Sequence, residues 1–363
     1  MRALILVALS LATVTAVACG GDDGDPATTT EDAGGSDATT NGDAGASDGA
    51  TSDGQADKDV RGPNIGTWRV GTTPNMRTQD STGIWGSGPN DIYLVGNSPP
   101  TLGPGGGVYH WDGGGAWHDI SNNSGFHFHD VSGVAPNDVW AVGYQGGGAL
   151  MQGTDGGAWS SRGPGPAFGN FFTQIWGAGP SDYWAITGNL PTQLVHLEGA
   201  SWVTVDTGAN GAFFVTGIAG HVFALSYLRP DGGAVDYVVA HRAGTSWSVL
   251  SLGAGAAAPF ALWAAGPNEL FVVGDEGSIQ HYDGNAWTKQ SSGTTRRLTA
   301  IWGTGPDDVF AGGNGALLHY DGTAWTPESF PDGGAFGFTD IWGSGRSDVW
   351  AVGTNGVVFH RTP

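Results

Sequence analysis

The chain has 363 residues, with 34 acidic against 13 basic side chains and a formal charge of −21 at neutral pH. Neutralising phosphates takes clustered Lys and Arg, so this balance excludes nucleic acid as a partner. The only cysteine is Cys19, which excludes an internal disulfide and a thiolate metal cage in the rest of the chain.

The N-terminus reads "MRALILVALSLATVTAVAC". Arg2 precedes an uncharged, mostly apolar run from Ala3 to Ala18. That run is shorter than the roughly 20 residues a spanning helix needs. A basic start, a short apolar core and small residues before a cut site describe a secretory signal peptide, residues 1–18. "AVAC" resembles the lipobox of bacterial lipoproteins, although Ala16 stands where most of them carry Leu. The resemblance implies that Cys19 becomes the mature N-terminus and carries several acyl chains such as palmitate. Several chains anchor durably where one does not. The expected location is the cell envelope, at the outer membrane or cell surface.

The acidic stretch continues the segment that begins at Cys19. Residues 20–61 hold ten Asp and one Glu against one Lys and one Arg, with one valine and no aromatic residue. Such a composition cannot offset chain entropy by burial and predicts a disordered tether over 19–61. Its acids lack the fixed spacing of a calcium loop.

Residues 62–363 form the third unit, with 23 acids and 10 bases. Strings of the "IWGSGPNDIYLVG" kind begin at Ile84, Val131, Ile175, Val215, Leu262, Ile301 and Ile341, about 43 residues apart on average. The fourth is degenerate, "VTGIAGHVFALS". Each repeat holds four short apolar segments. In the sixth they are "TAIWG", "DVFAGG", "ALLHYD" and "AWTPES", parted by the turn signals "TGPD", "NG" and "DGT". Four strands per period of 40 to 45 residues predict a propeller blade.

The fourth strands carry Trp117, Trp159, Trp202, Trp247, Trp287 and Trp325, and the last repeat stops at "NGVVFHRTP" without one. "GTWRV" at 66–70 supplies Trp68 in the matching context. The expectation is an all-β, seven-bladed β-propeller whose N-terminal strand completes the last blade and covers its open edge. "DGxxW" resembles the Asp-box of sialidase-like propellers. "PDDVFAGGNGALLHYDGTAW" (306–325) resembles the repeat of seven-bladed bacterial propeller lectins and, more closely, the "DVWAVG" repeats of bacterial surface lipoproteins. The likeness covers residues 66–363 and implies a fold more firmly than a function.

Histidines recur at one third-strand position (His110, His196, His241, His281, His319 and His360), with Gln152 in the second repeat. They are expected to make a structural hydrogen bond rather than to bind metal. The acids before the second strands (Asp91, Asp138, Asp182, Glu269, Asp308 and Asp348) are expected to satisfy turn N–H groups. The same role is expected of Asp112, Asp155, Asp283 and Asp321 of "DGxxW".

Function is expected on the face with variable loops, which include 97–107, 161–172, 226–236 and 330–338. Its aromatics include Phe168, Phe330, Phe336 and Phe338, with about half of the whole set turned inward. The candidate ligand-binding residues there are Phe126, His127, Phe128, His129, Phe171, Phe172, Phe213 and Phe214. His127 and His129 of "FHFHD" lie two apart on one side of an extended chain beside Asp130, without a visible third metal ligand. No cofactor and no metal are expected.

Three readings follow. The first is a monomeric, non-catalytic scaffold that binds a surface protein or glycan and reaches the membrane through its lipid. The second is a lectin with sugar pockets between blades. The third is a glycosidase or lyase, disfavoured because no sialidase-like "RIP" motif and no isolated acid–base pair stands out.

Overall fold

The computed structural model describes residues 66–73, 80–97, 105–121, 126–144, 149–153, 159–161, 171–199, 201–330 and 336–363. The expected signal peptide, Cys19, the segment expected to be a tether, Asp155 and Phe168 lie outside these residues.

The described strands make seven four-stranded antiparallel sheets. The first strands are Asp80–Gly88, His127–Ala135, Phe172–Gly179, Gly211–Ile218, Pro259–Gly266, Leu298–Gly305 and Phe338–Gly345, and the sheets are numbered 1 to 7 in that order. Each first strand packs against the next, and the last packs against the first, which closes a ring. The architecture is a β-propeller. Among the described residues no helix is long and apolar enough to cross a membrane.

Six sheets are continuous in sequence and sheet 7 is composite. Its outer strand is Thr67–Val70, paired antiparallel with Val358–Thr362 in the register Trp68↔Arg361 and Val70↔Phe359. Trp68 is 2% exposed and meets Phe310 of sheet 6 edge-on at 6.1 Å and 82°. Other outer-strand tryptophans meet the second strand of the preceding sheet in the same way. Trp325 meets Phe271 at 6.4 Å and 76°, Trp202 meets Trp140 at 6.1 Å and 77°, and Trp117 meets Trp350 at 5.8 Å and 87°. The N-terminal strand therefore does the packing work of a fourth strand. The cores lie between neighbouring sheets, which explains second strands that are apolar on both faces, such as Asp348–Gly353 with only its first residue unburied.

The recurring histidines and acids meet each other. His110 Nε2 lies 2.6 Å from Asp91, His196 2.8 Å from Asp182, His319 2.8 Å from Asp308, and His360 2.6 Å from Asp348; His281 pairs likewise with Glu269. Each ring also stacks on a second-strand aromatic, as His360 does on Trp350 at 3.8 Å and His319 on Phe310 at 4.4 Å. The structural role expected of the histidines is seen. The acids differ from expectation, because their partners are these imidazoles and turn hydroxyls such as Ser87, Thr304 and Ser344 rather than turn N–H groups. In the "DGxxW" turns Asp283 and Asp321 each accept two backbone N–H bonds, as expected, and these hold their carboxyls below the usual range.

Candidate functional site

Every first strand carries a bulge at the same place in its pairing with the second strand. Bulges re-aim a side chain and locally release the ladder. The bulged residues are Thr82, His129, Thr173, Phe213, Phe260, Thr299 and Thr339. In three of the four sheets where it is threonine, the hydroxyl braces the next sheet. Thr82 donates to the Phe128 carbonyl at 3.0 Å, Thr299 to Phe338 at 2.7 Å, and Thr339 to Ser81 at 2.7 Å. Sheets 2, 4 and 5 give up that brace, and His129, Phe213 and Phe260 take the position.

The imidazole of His129 turns into a cavity of about 490 Å³ on the loop face, lined by Asn97, His127, His129, Tyr144, Phe171 and Asn189. Asn97 and Tyr144 end the second strands of sheets 1 and 2, and Phe171 enters sheet 3. Tyr144 and Phe171 form a backbone bridge, and their rings meet at 6.2 Å and 83°. His129 meets the Phe171 ring edge-on at 4.9 Å. Gly188 makes room for that ring, since a Cβ there would lie 1.8 Å from Phe171 Cδ1. Burial lowers the pKa of His129 to about 4, and the charge on neighbouring His127 adds to the shift. The imidazole is therefore neutral at physiological pH. The side-chain oxygen of Asn97 is buried without a hydrogen-bond partner among the described residues.

Of the eight residues expected from sequence, three meet here: His127, His129 and Phe171. Phe126, Phe128 and Phe172 are buried in the inter-sheet cores, at 6%, 0% and 0% exposure, and have no ligand-facing surface. Phe213 and Phe214 pack against the core between sheets 4 and 5. The reason is alternation. Phe126 and Phe128 sit on the inward side of "FHFHD", and the same strand sends its histidines outward. Sequence reasoning missed Tyr144, Asn97 and Asn189. Tyr144 carried a signal, as one of two aromatics, with Tyr227, at a place near the end of the second strand where the other repeats have Asn, Gly, Asp or Thr.

Two carboxylates mark a second departure. Asp130 accepts from Val131 N–H at 2.8 Å and from Ile175 N–H of sheet 3 at 3.0 Å. Asp340 accepts from Ile341 N–H and from Ile84 N–H of sheet 1, both at 2.9 Å. They flank Gly83, where a Cβ would lie 2.9 Å from the Asp130 carboxylate. Burial pushes Asp340 up to about 7, and burial and then the Asp340 charge push Asp130 up. Both carboxylates are committed to backbone amides. In sheets 1, 6 and 7 the turn hydroxyl and the histidine bond the same carboxylate rather than each other, which is not a nucleophile–base pair. Among the described residues no group of three or more His, Cys, Asp or Glu is placed to hold a metal.

No protein-family model and no curated protein matches the chain. Many solved structures share the fold. YCF48 from Cyanidioschyzon merolae is 16% identical with a TM-score of 0.62, covering 82% of this chain and 99% of its own. YCF48 bound to D1 peptide is 16% identical at TM-score 0.61, covering 83% and 97%. The WD40 β-propeller domain of Doa1 is 10% identical at TM-score 0.61, covering 82% and 97%. At these identities the likeness establishes the propeller and nothing narrower.

Proposed function

We propose that this protein is a non-catalytic interaction scaffold of the cell envelope, a seven-bladed ring closed by its N-terminal strand, anchored through lipid on Cys19 and binding a protein partner on its loop face. The observation that carries the reading is the cavity at sheets 1–3, built where the chain departs from its own repeat. A bracing threonine is replaced by His129, and a half-exposed Tyr144 opens beside it. Repeated residues serve the ring, whereas departures clustered on the loop face serve a ligand. YCF48, which shares the fold, has been solved with a bound peptide. The non-catalytic reading is supported by the commitment of the recurring acids, and of Asp130 and Asp340, to structural hydrogen bonds.

A photo-crosslinking residue at position 144 of the full chain, displayed on cells, tests the partner. One protein captured from 144 and not from the half-exposed Val249 supports the reading, and no adduct overturns it. Anchoring has its own test. Cys19→Ser should move the protein from the membrane to the soluble fraction, and unchanged fractionation removes the lipid claim.

A glycan is the second reading, favoured by the half-exposed Tyr144 ring as a stacking platform. The recurring histidines do not support it, because their rings are occupied by carboxylates and aromatic stacking.

A further inference from the structure

The cavity at sheets 1–3 has a chemistry narrow enough to specify its occupant. Its walls are rings set at steep angles. Phe171 stands at 83° to Tyr144 and at 75° to His129, so the wall offers both ring edges and ring faces to an incoming group. Among the described residues no Lys, Arg, Asp or Glu lines it. With the His129 imidazole neutral, the described lining offers little to offset a buried charge on the occupant, and burying an unpaired charge is strongly unfavourable. The Asn97 oxygen is an acceptor already withdrawn from water with no donor among the described residues to meet it. At the rim, Leu190 follows the lining residue Asn189 and is 80% exposed, one of a handful of large apolar side chains on the surface.

We propose that this cavity receives one uncharged aromatic side chain bearing a single N–H or O–H donor, a tryptophan or tyrosine, presented by an extended segment of a protein partner. The proposal rests on the scaffold reading above and names its ligand chemistry. The ring enters edge-to-face against Phe171 and Tyr144, its donor meets Asn97, and flanking apolar residues cover Leu190. A saccharide fits less well, because its hydroxyls encircle the ring and those against Phe171 and Tyr144 find no partner.

The test is a titration of the full-length protein with N-acetylated, C-amidated Gly-Ser-X-Ser-Gly peptides, in which X is Trp, 1-methyl-Trp, Tyr, Ala or Lys. Methyl glucoside, galactoside and mannoside form a separate arm. The readouts are the His129 ring resonances and the dissociation constant. The Trp and Tyr peptides should shift His129 and bind at least tenfold more tightly than Ala or Lys. 1-Methyl-Trp should lose most of that gain in the native protein, because it lacks the donor. Tyr144→Ala, on a half-exposed residue, should weaken Trp binding at least tenfold with little change in Tm, and Asn97→Ala should erase the difference between Trp and 1-methyl-Trp. Equal binding of Trp and Ala, equal binding of Trp and 1-methyl-Trp, or His129 shifts with the glycosides alone would each overturn the proposal. A partner crosslinked on cells as efficiently after Tyr144→Ala, with the crosslinker moved to position 190, overturns this inference and leaves the scaffold standing. Absence of any partner from either position overturns the scaffold itself.

Discussion

His129 shows what one substitution does inside a repeat. Its equivalents Thr82, Thr299 and Thr339 each tie their sheet to the next through a hydroxyl, and sheet 2 exchanges that bond for an imidazole walled in by Phe171. A histidine whose folded pKa lies near 4, against about 6.5 unfolded, takes up its proton in the unfolded chain first. Its stabilising contribution is thus complete above pH 6.5 and is lost as pH falls from there toward 4. Replacing it by threonine restores the repeat and should place a hydroxyl within reach of the Phe172 carbonyl. The expected outcome for His129→Thr is a Tm equal to or above that of the native protein at pH 7.5 and a smaller fall in Tm between pH 6.5 and 4. A fall as steep as the native one would show that His129 is not the titrating group.

Among the elements, the strand Thr67–Val70 has the clearest division of labour along four residues. Trp68 is sealed between sheets 6 and 7 while Val70 is 52% exposed. Trp68→Ala removes a large buried ring against Phe310 and Phe330 and should cost about 3–5 kcal/mol. Val70→Ala, on the same strand, should stay within about 0.5 kcal/mol. Chemical denaturation of both variants checks the contrast, and equal losses would mean that the strand pairs without closing the ring. This element was readable in the sequence because "GTWRV" repeats a pattern found six times downstream, so that a missing tryptophan at one end pointed to the other. The first-strand bulges were not readable. A bulge is a property of register between two strands, and an alternating pattern in "FHFHD" says which residues share a side without saying where the ladder slips. That is why His127 and His129 could be seen as a pair while Asn97 and Tyr144, at the ends of two second strands, and Asn189, just beyond a third, could not.

At the scale of the whole ring, closure depends on more than the terminal strand. The innermost seam between sheets 7 and 1 is held by Asp340, whose carboxylate takes the Ile84 amide, and Asp130 does the same service between sheets 2 and 3. Gly83 keeps the space between them free of a side chain, and the Asp340 charge adds to the rise of Asp130. Their folded pKa values lie above the unfolded value near 3.9, so the signs run opposite to His129. The contribution of Asp340 is complete below about pH 4 and is lost as pH rises through 7. Asp340→Asn keeps the shape and removes the charge, but an amide can accept only one of the two N–H bonds. The variant should therefore melt below the native protein at pH 5, and the gap should narrow steadily as pH is raised to 8, where the native carboxylate carries its unfavourable charge. Melting curves at pH 5, 6.5 and 8 decide the matter. A gap that is constant across this range would show that the carboxyl is ionised throughout, and a gap that widens would show that ionised Asp340 is the better partner for Ile84. The same curves separate the two titrations, because the loss assigned to His129 grows toward acid and the loss assigned to Asp340 grows toward alkali.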